Sequence, residues 1–401
     1  MPDAWNFYSA GQLMFGRKSI AQLGRCAVEN GWQKIVIVTD PILASLGLVD
    51  RVKAPLEAAG VTVHVFDGSC AEPSLEVVAN CEAFAQPHQP DAVLGLGGGS
   101  NIDLAKMLAI LLTHGGQPSD YFSWNQVPGP VLPIIAVPTT SGTGSEVSQS
   151  SVLTDIENQM KVSTLSQYLR PRLAVVDPEL TVSCPPQVTA DSGIDALTHA
   201  VEAYLATDYN QLEVNGNESQ PYSGSNPLTD TLAEKAIRLV GGHLRTAVAS
   251  GEDINAREQM ALAATLAGLA FSNCGVAVVH ALEYPIGGAV HCSHGAGNGL
   301  LLPYVMQFNL PVRKEKLANI AGWLGVSTEN LTPVEAAQAA VDAVHQLKKD
   351  IGIPEKLRAF GTTAEMLPGF AAKSITISRL MLTNPRKPSE ADLLQILQEA
   401  L

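Results

Sequence analysis

Ala92-Val93-Leu94-Gly95-Leu96-Gly97-Gly98-Gly99-Ser100-Asn101-Ile102-Asp103-Leu104-Ala105-Lys106 is the stretch whose reading decides the fold. Its opening residues are apolar and match a strand covered on both faces. Consecutive glycines then make a turn, and the remainder carries a helix. Gly97, Gly98 and Gly99 remove the side chains that would hold backbone N–H groups away from a phosphate, and the helix N-terminus adds its partial positive charge. The segment therefore predicts a pyrophosphate cradle, with Ser100 capping the helix and Asp103 at the third helical position. Ser100 stands where the dinucleotide fingerprint has its third spaced glycine, and the Walker pattern is not met either. A tight strand-to-helix turn without a ligand is the alternative reading of these residues.

Outward from this unit, short β-branched runs alternate with helix-like segments, the rhythm of a parallel α/β sheet. The runs are Lys34 to Thr39, Val61 to Phe66, Ala92 to Leu96, Ile134 to Pro138 and Leu173 to Val176. At Pro185-Pro186 the texture changes to long Ala-rich or amphipathic stretches: Gly193 to Leu205, Asp230 to Val240, Ala256 to Phe271 and Pro333 to Lys349. The expectation is an α/β dinucleotide-binding domain over residues 1–185 and an all-helical metal-binding and catalytic domain over 186–401. Thr207 to Pro227, rich in Asn, Gly, Ser and Pro, reads as an exposed loop.

The 401 residues carry 25 Lys plus Arg against 39 Asp plus Glu, a net charge of −14. Such a surface repels phosphate backbones, which argues against nucleic acid and anionic membrane as partners. The longest apolar stretch, Met260 to Phe271, falls short of the roughly 18 to 20 residues of a membrane span. The N-terminus shows no basic segment followed by an apolar run, so a cytoplasmic enzyme is expected. The six cysteines form no CxxC pair, which fits reduced, mostly buried thiols.

A second small-residue loop, Pro138-Thr139-Thr140-Ser141-Gly142-Thr143-Gly144-Ser145-Glu146, follows the run at 134–138. Thr139, Thr140 and Thr143 there can bond ribose or phosphate oxygens at the carboxyl end of a strand. Asp40 ends another strand, where a carboxylate accepts ribose hydroxyls and repels a 2′-phosphate; a simple Asp-Pro turn is the alternative. Asp195 and His199 lie four apart on one face of a helix, and His280 and His294 follow in an apolar, glycine-rich region. One carboxylate oxygen and three imidazoles suit Zn(II) or Fe(II).

Together these motifs resemble the iron-containing, group III alcohol dehydrogenases, from Phe15-Gly16 to the last helices. The resemblance implies reversible hydride transfer between an alcohol (or its aldehyde or ketone) and NAD. It implies a divalent metal, Fe(II) or Zn(II), held by Asp195, His199, His280 and His294, and an active cleft between the domains. It further implies that Gly98, Gly99, Ser100, Asp103, Lys161 and the Leu180 region lie near the cofactor. A homodimer or larger homo-oligomer is expected. Many members carry a histidine at the position of Tyr284, so His291, in an expected glycine loop, becomes the candidate for proton transfer beside His280 and His294. Other activities compatible with the motifs are a hydroxyacid–oxoacid transhydrogenase, a dehydroquinate synthase-like lyase using NAD transiently, and a non-catalytic nucleotide-binding protein.

Overall fold

The computed structural model describes residues 4–156, 160–213 and 220–401. The chain divides into two compact units, Tyr8–Cys184 and Pro185–Leu401, the second joined by the described residues before Tyr8. Part of the expected loop at Thr207 to Pro227, residues 214–219, lies outside the described residues.

The first unit is built on a parallel sheet of β1 (Gln12–Phe15), β2 (Lys34–Val38), β3 (Thr62–Phe66), β4 (Ala92–Gly97), β6 (Ile134–Pro138) and β9 (Leu173–Val176). These strands run in the order β1-β9-β6-β4-β2-β3. Alternate side chains feed two separate cores. Ile35, Ile37, Leu94, Leu96, Ile135 and Val137 pack on one face, and Val36, Val38, Val93 and Ile134 on the other. Both faces are covered by helices, which is why the strand sequences are continuously apolar instead of alternating. At about 1.5–3 kcal/mol per fully buried Val, Leu or Ile, these strands supply a large share of the unit's driving force.

A smaller sheet was not anticipated. It pairs β5 (Ser123–Trp124) with β8 (Met160–Leu165) and β8 with β7 (Ser150–Asp155). The second unit is helical, as expected, with helices Pro186–Leu205, Pro227–Ala249, Ile254–Cys274, Val278–Val290, His294–Trp323 and Pro333–Asp350 among its elements. Between Ile254–Cys274 and Val278–Val290 the chain breaks at Gly275 (φ +109°), and the two helices meet at 103°. No single helix among the described residues is long and apolar enough to cross a membrane.

Candidate functional site

At the carboxyl end of the large sheet, β4 and β6 are neighbours, so their two small-residue loops lie side by side. Gly97 adopts φ +144°, and a Cβ on it would fall 2.1 Å from Asn101 Nδ2. Only glycine fits both the conformation and the space. Side chains at Gly98 and Gly99 would meet Thr140 Oγ1 at 3.4 Å and Thr143 Cγ2 at 2.9 Å. Thr139 N donates to Gly97 O (3.0 Å), closing the two loops together. Gly98, Gly99, Thr139, Thr140 and Thr143 thus share one small region. The helix Gly99–His114 begins at Gly98 with no side-chain cap. That leaves a helix N-terminus without a side-chain oxygen in place, the geometry that receives anions.

The cap expectation changes here, and the other candidate residues take definite places. Ser100 is not the helix cap; it lies within the first turn, and its Oγ accepts from Glu72 N (3.2 Å). Asp103 turns into the unit, accepting from Ser145 Oγ (2.5 Å) and Val152 N (2.9 Å), because the helix buries that face against the Thr loop and β7. Leu180 is wholly buried in the core with Ile20 and Leu23, so its side chain serves packing. Lys161 Nζ sits 2.9 Å from Glu72 Oε1, which ties β8 to the residue whose N–H meets Ser100. Asp40 caps a short helix: Oδ1 accepts from Ile42 N (3.0 Å) and Leu43 N (3.1 Å), and Oδ2 from Asn101 Nδ2 (2.8 Å).

In the helical unit, Asp195, His280 and His294 offer ligand atoms that all lie within 4.8 Å of one another. His199 joins them through its Nε2, 3.0 Å from His280 Nε2, while its ring stacks on Phe271 at 4.2 Å. The helices approach closely because glycines face the crossing. A Cβ at Gly295 would lie 2.1 Å from Asp191 O, and one at Gly299 would lie 2.5 Å from Ile194 Cγ2. His294 and the residue four further on, Asn298, are thereby set against Asp195. Burial works to raise the Asp195 carboxyl, but His199, His294, His280 and the Asn298 amide outweigh it, and the group lies below its ordinary value.

Asn298 tests whether a metal fits. Its Nδ2 lies 2.8 Å from Asp195 Oδ1, 3.2 Å from His280 Nε2 and 3.1 Å from His294 Nε2. An amide nitrogen has two hydrogens, so three acceptors crowd a donor that can satisfy two. A divalent cation satisfies every one of these acceptors, and one oxygen with imidazole nitrogens is a donor set suited to Fe(II) or Zn(II).

Stretches 10–178 and 218–401 match the families described as "Iron-containing alcohol dehydrogenase" and "Fe-containing alcohol dehydrogenase family, C-terminal". The chain belongs to the iron-containing alcohol dehydrogenase family. Long-chain-alcohol dehydrogenase 1 of Geobacillus thermodenitrificans is 43% identical over 373 residues, 92% of this chain and 90% of that protein. The NAD-dependent methanol dehydrogenase of Bacillus methanolicus is 35% identical over 397 residues, 99% of this chain and all of that one. A solved 1,3-propanediol oxidoreductase superposes with a TM-score of 0.92 at 36% identity, covering 99% of this chain and 100% of its own.

Within this iron-containing alcohol dehydrogenase, three site residues escaped sequence reasoning. Besides Asn298, Glu202 Oε2 lies 2.5 Å from His280 Nδ1 and Glu283 Oε2 2.5 Å from His294 Nδ1. The spacing of Asp195, His199 and Glu202 along one helix was an available signal. His291 is placed differently from expectation. The segment before it is the end of helix Val278–Val290, not a glycine loop, and His291 is the exposed C-cap in the left-handed region (φ 54°). No side-chain hydrogen bond or ring contact links it to the histidine cluster. His291→Ala is therefore expected to change the rate of alcohol oxidation less than about twofold and to leave its pH profile in place. Loss of a kinetic pKa near that of histidine, about 6.5, in this variant would restore a proton-transfer role.

Proposed function

We propose that this enzyme moves hydride reversibly between the carbinol carbon of a small-molecule alcohol, or its aldehyde or ketone, and NAD. The convergence of Asp195, His280 and His294 around Asn298, with His199 beside them, carries this reading. When bound, Fe(II) or Zn(II) supplies Lewis acidity toward the substrate oxygen, and NAD supplies the hydride acceptor. The protein's own part is to hold the imidazoles with Nε2 facing inward and to keep the Asp195 carboxyl ionised. In the α/β unit, the uncapped helix at Gly98 receives the pyrophosphate, and Thr139, Thr140 and Thr143 line the same loop region. The relatives' substrates range from methanol to long-chain alcohols, so the proposal extends to the class and not to one alcohol. An NADH-linked panel of alcohols and aldehydes on metal-reconstituted protein tests it. Failure to turn over any member, with full metal loading, would overturn it.

NAD is preferred over NADP on account of Asp40. Three of the roughly four lone-pair positions of its carboxylate are taken by Ile42, Leu43 and Asn101, leaving about one for a ribose hydroxyl, while the negative charge opposes a 2′-phosphate. Asp40→Gly is expected to shift the ratio of kcat/KM values toward NADP by at least about tenfold. Glycine is itself a tolerated N-cap, so losing the cap costs a few tenths of a kcal/mol, and the buried Asn101 amide left without Oδ2 adds about 1–3 kcal/mol. Native protein using NADP as well as NAD would refute this role for Asp40.

A cytoplasmic enzyme is part of the same proposal, supported by six free cysteines, which fit a reducing compartment. So is a homo-oligomer: β1 is an edge strand with Leu13 40% exposed, and it offers a second copy a pairing surface.

A further inference from the structure

The imidazole of His294 keeps 32% of its side-chain surface exposed, so packing alone does not fix its ring. The carboxylate against it is wholly buried: Glu283 has no exposed surface, and its Oε2 sits 2.5 Å from His294 Nδ1. Burying a carboxylate is costly unless it is paired. The fold makes room for this one deliberately close to the neighbouring helix, since a Cβ on Gly297 would lie 3.0 Å from Glu283 Cγ. An acceptor at Nδ1 requires the proton there, which leaves the lone pair on Nε2. Nε2 is the atom 3.1 Å from Asn298 Nδ2, the same nitrogen that meets Asp195 Oδ1 and His280 Nε2.

We propose that Glu283 is a positioning residue that sets the tautomer and ring orientation of His294 for metal binding. The proposal rests on the reading of Asp195, His280 and His294 as a metal site. Glu202 holds His280 by the same construction, but it differs in two ways. Its other oxygen accepts from Val279 N (2.8 Å), so it also holds the start of a helix. His280 is only 2% exposed and stacks on His199, so its ring has other support. His294 also meets the rings of His280 (5.4 Å) and Tyr284 (6.2 Å), but with 32% of its side chain exposed it is enclosed less fully than His280, which makes Glu283 the cleaner probe.

The test uses the full-length protein, stripped and reloaded with Zn(II) or Co(II), with metal dissociation constants from chelator competition. Glu283→Ala is expected to weaken metal binding about 10- to 100-fold. Glu283→Gln, which keeps an acceptor oxygen without the charge, is expected to fall between wild type and Ala, and to shift the visible bands of the Co(II) protein. If Glu283→Ala fails to fold, Glu283→Gln decides. A double variant separates positioning from simple packing: once His294→Ala has removed the ligand, adding Glu283→Gln should weaken the remaining affinity no further. Unchanged affinity in both Glu283 variants, alongside a large loss in His294→Ala, would overturn the positioning role and leave the metal site standing. Unchanged affinity in His294→Ala itself would overturn the metal-site reading, and this proposal with it.

Discussion

Replacing Asp195, His280 or His294 by Ala is expected to lower kcat/KM for alcohol oxidation by roughly 1000-fold and to empty the site of tightly held metal. The magnitude follows from the several kcal/mol of charge stabilisation that a Lewis-acid metal provides, about 4 kcal/mol corresponding to that factor. These are the three residues whose ligand atoms lie within 4.8 Å of each other. His199 reaches the set through the Nε2 of His280, so His199→Ala should lose less, keeping the three protein ligands that open catalytic sites commonly use. Elemental analysis of each purified variant, followed by rates after reloading with Fe(II) or Zn(II), gives both readouts. Undiminished turnover by chelated wild-type protein shown to be metal-free would end the account.

The legible parts of this protein were those in which one element carries its own signal. Strands β2, β4, β6 and β9 are buried on both faces, and their unbroken apolar runs say so directly. Strand β1 escaped because its residues are exposed or half-buried. Strands β7 and β8 escaped because their mixed Ser, Thr and apolar residues show no clear period. The segment His294–Trp323 contains Pro303, Pro311 and several glycines, each a local argument against helix, and it does break at Arg313 (φ −133°, ψ 26°), two residues after Pro311. Tertiary packing overrides the signals before that kink: Gly295 and Gly299 are what allow close approach to the Asp195 helix. The candidate metal ligands drew notice because Asp and His are rare in such apolar surroundings. Their carboxylate partners did not, since Glu202 meets His280 from 78 residues away. Local spacing puts Glu202 on the helix of Asp195 and His199, but it carries no record of which distant residue Glu202 meets. The cap misled for a related reason: Ser100 with Asp103 three residues on suggested a capping pair, whereas the helix begins after Gly98 and long-range bonds to Ser145 and Val152 claim Asp103.

Lys106→Met is expected to destabilise the α/β unit by about 3–5 kcal/mol, because it strands a buried carboxylate. Lys106 has no exposed surface, and Asp103 is 8% exposed. Lys106 Nζ donates to Ser145 Oγ (2.8 Å), Ser148 Oγ (3.1 Å) and Ser150 O (2.7 Å), and it lies 3.6 Å from Asp103 Oδ1. Burial raises the Asp103 carboxyl and brings Lys106 down to about 8, so for each group dehydration outweighs the attraction of its partner. The pair is thus not a source of stability in itself; each charge makes the other tolerable. At about 2–4 °C per kcal/mol for a unit of this size, the first thermal transition should fall by about 10 °C. NAD affinity should fall as well, since Asp103 joins the glycine-loop helix to Ser145 of the threonine loop. The double variant Asp103→Leu/Lys106→Met discriminates between charge and packing. Removing both charges together should recover part of the loss, because apolar groups of similar volume often replace a buried pair at little cost. Recovery requires that the damage in Lys106→Met comes from the stranded carboxylate. A double variant as unstable as the sum of its single changes would instead assign the loss to the serine and backbone bonds that Lys106 makes.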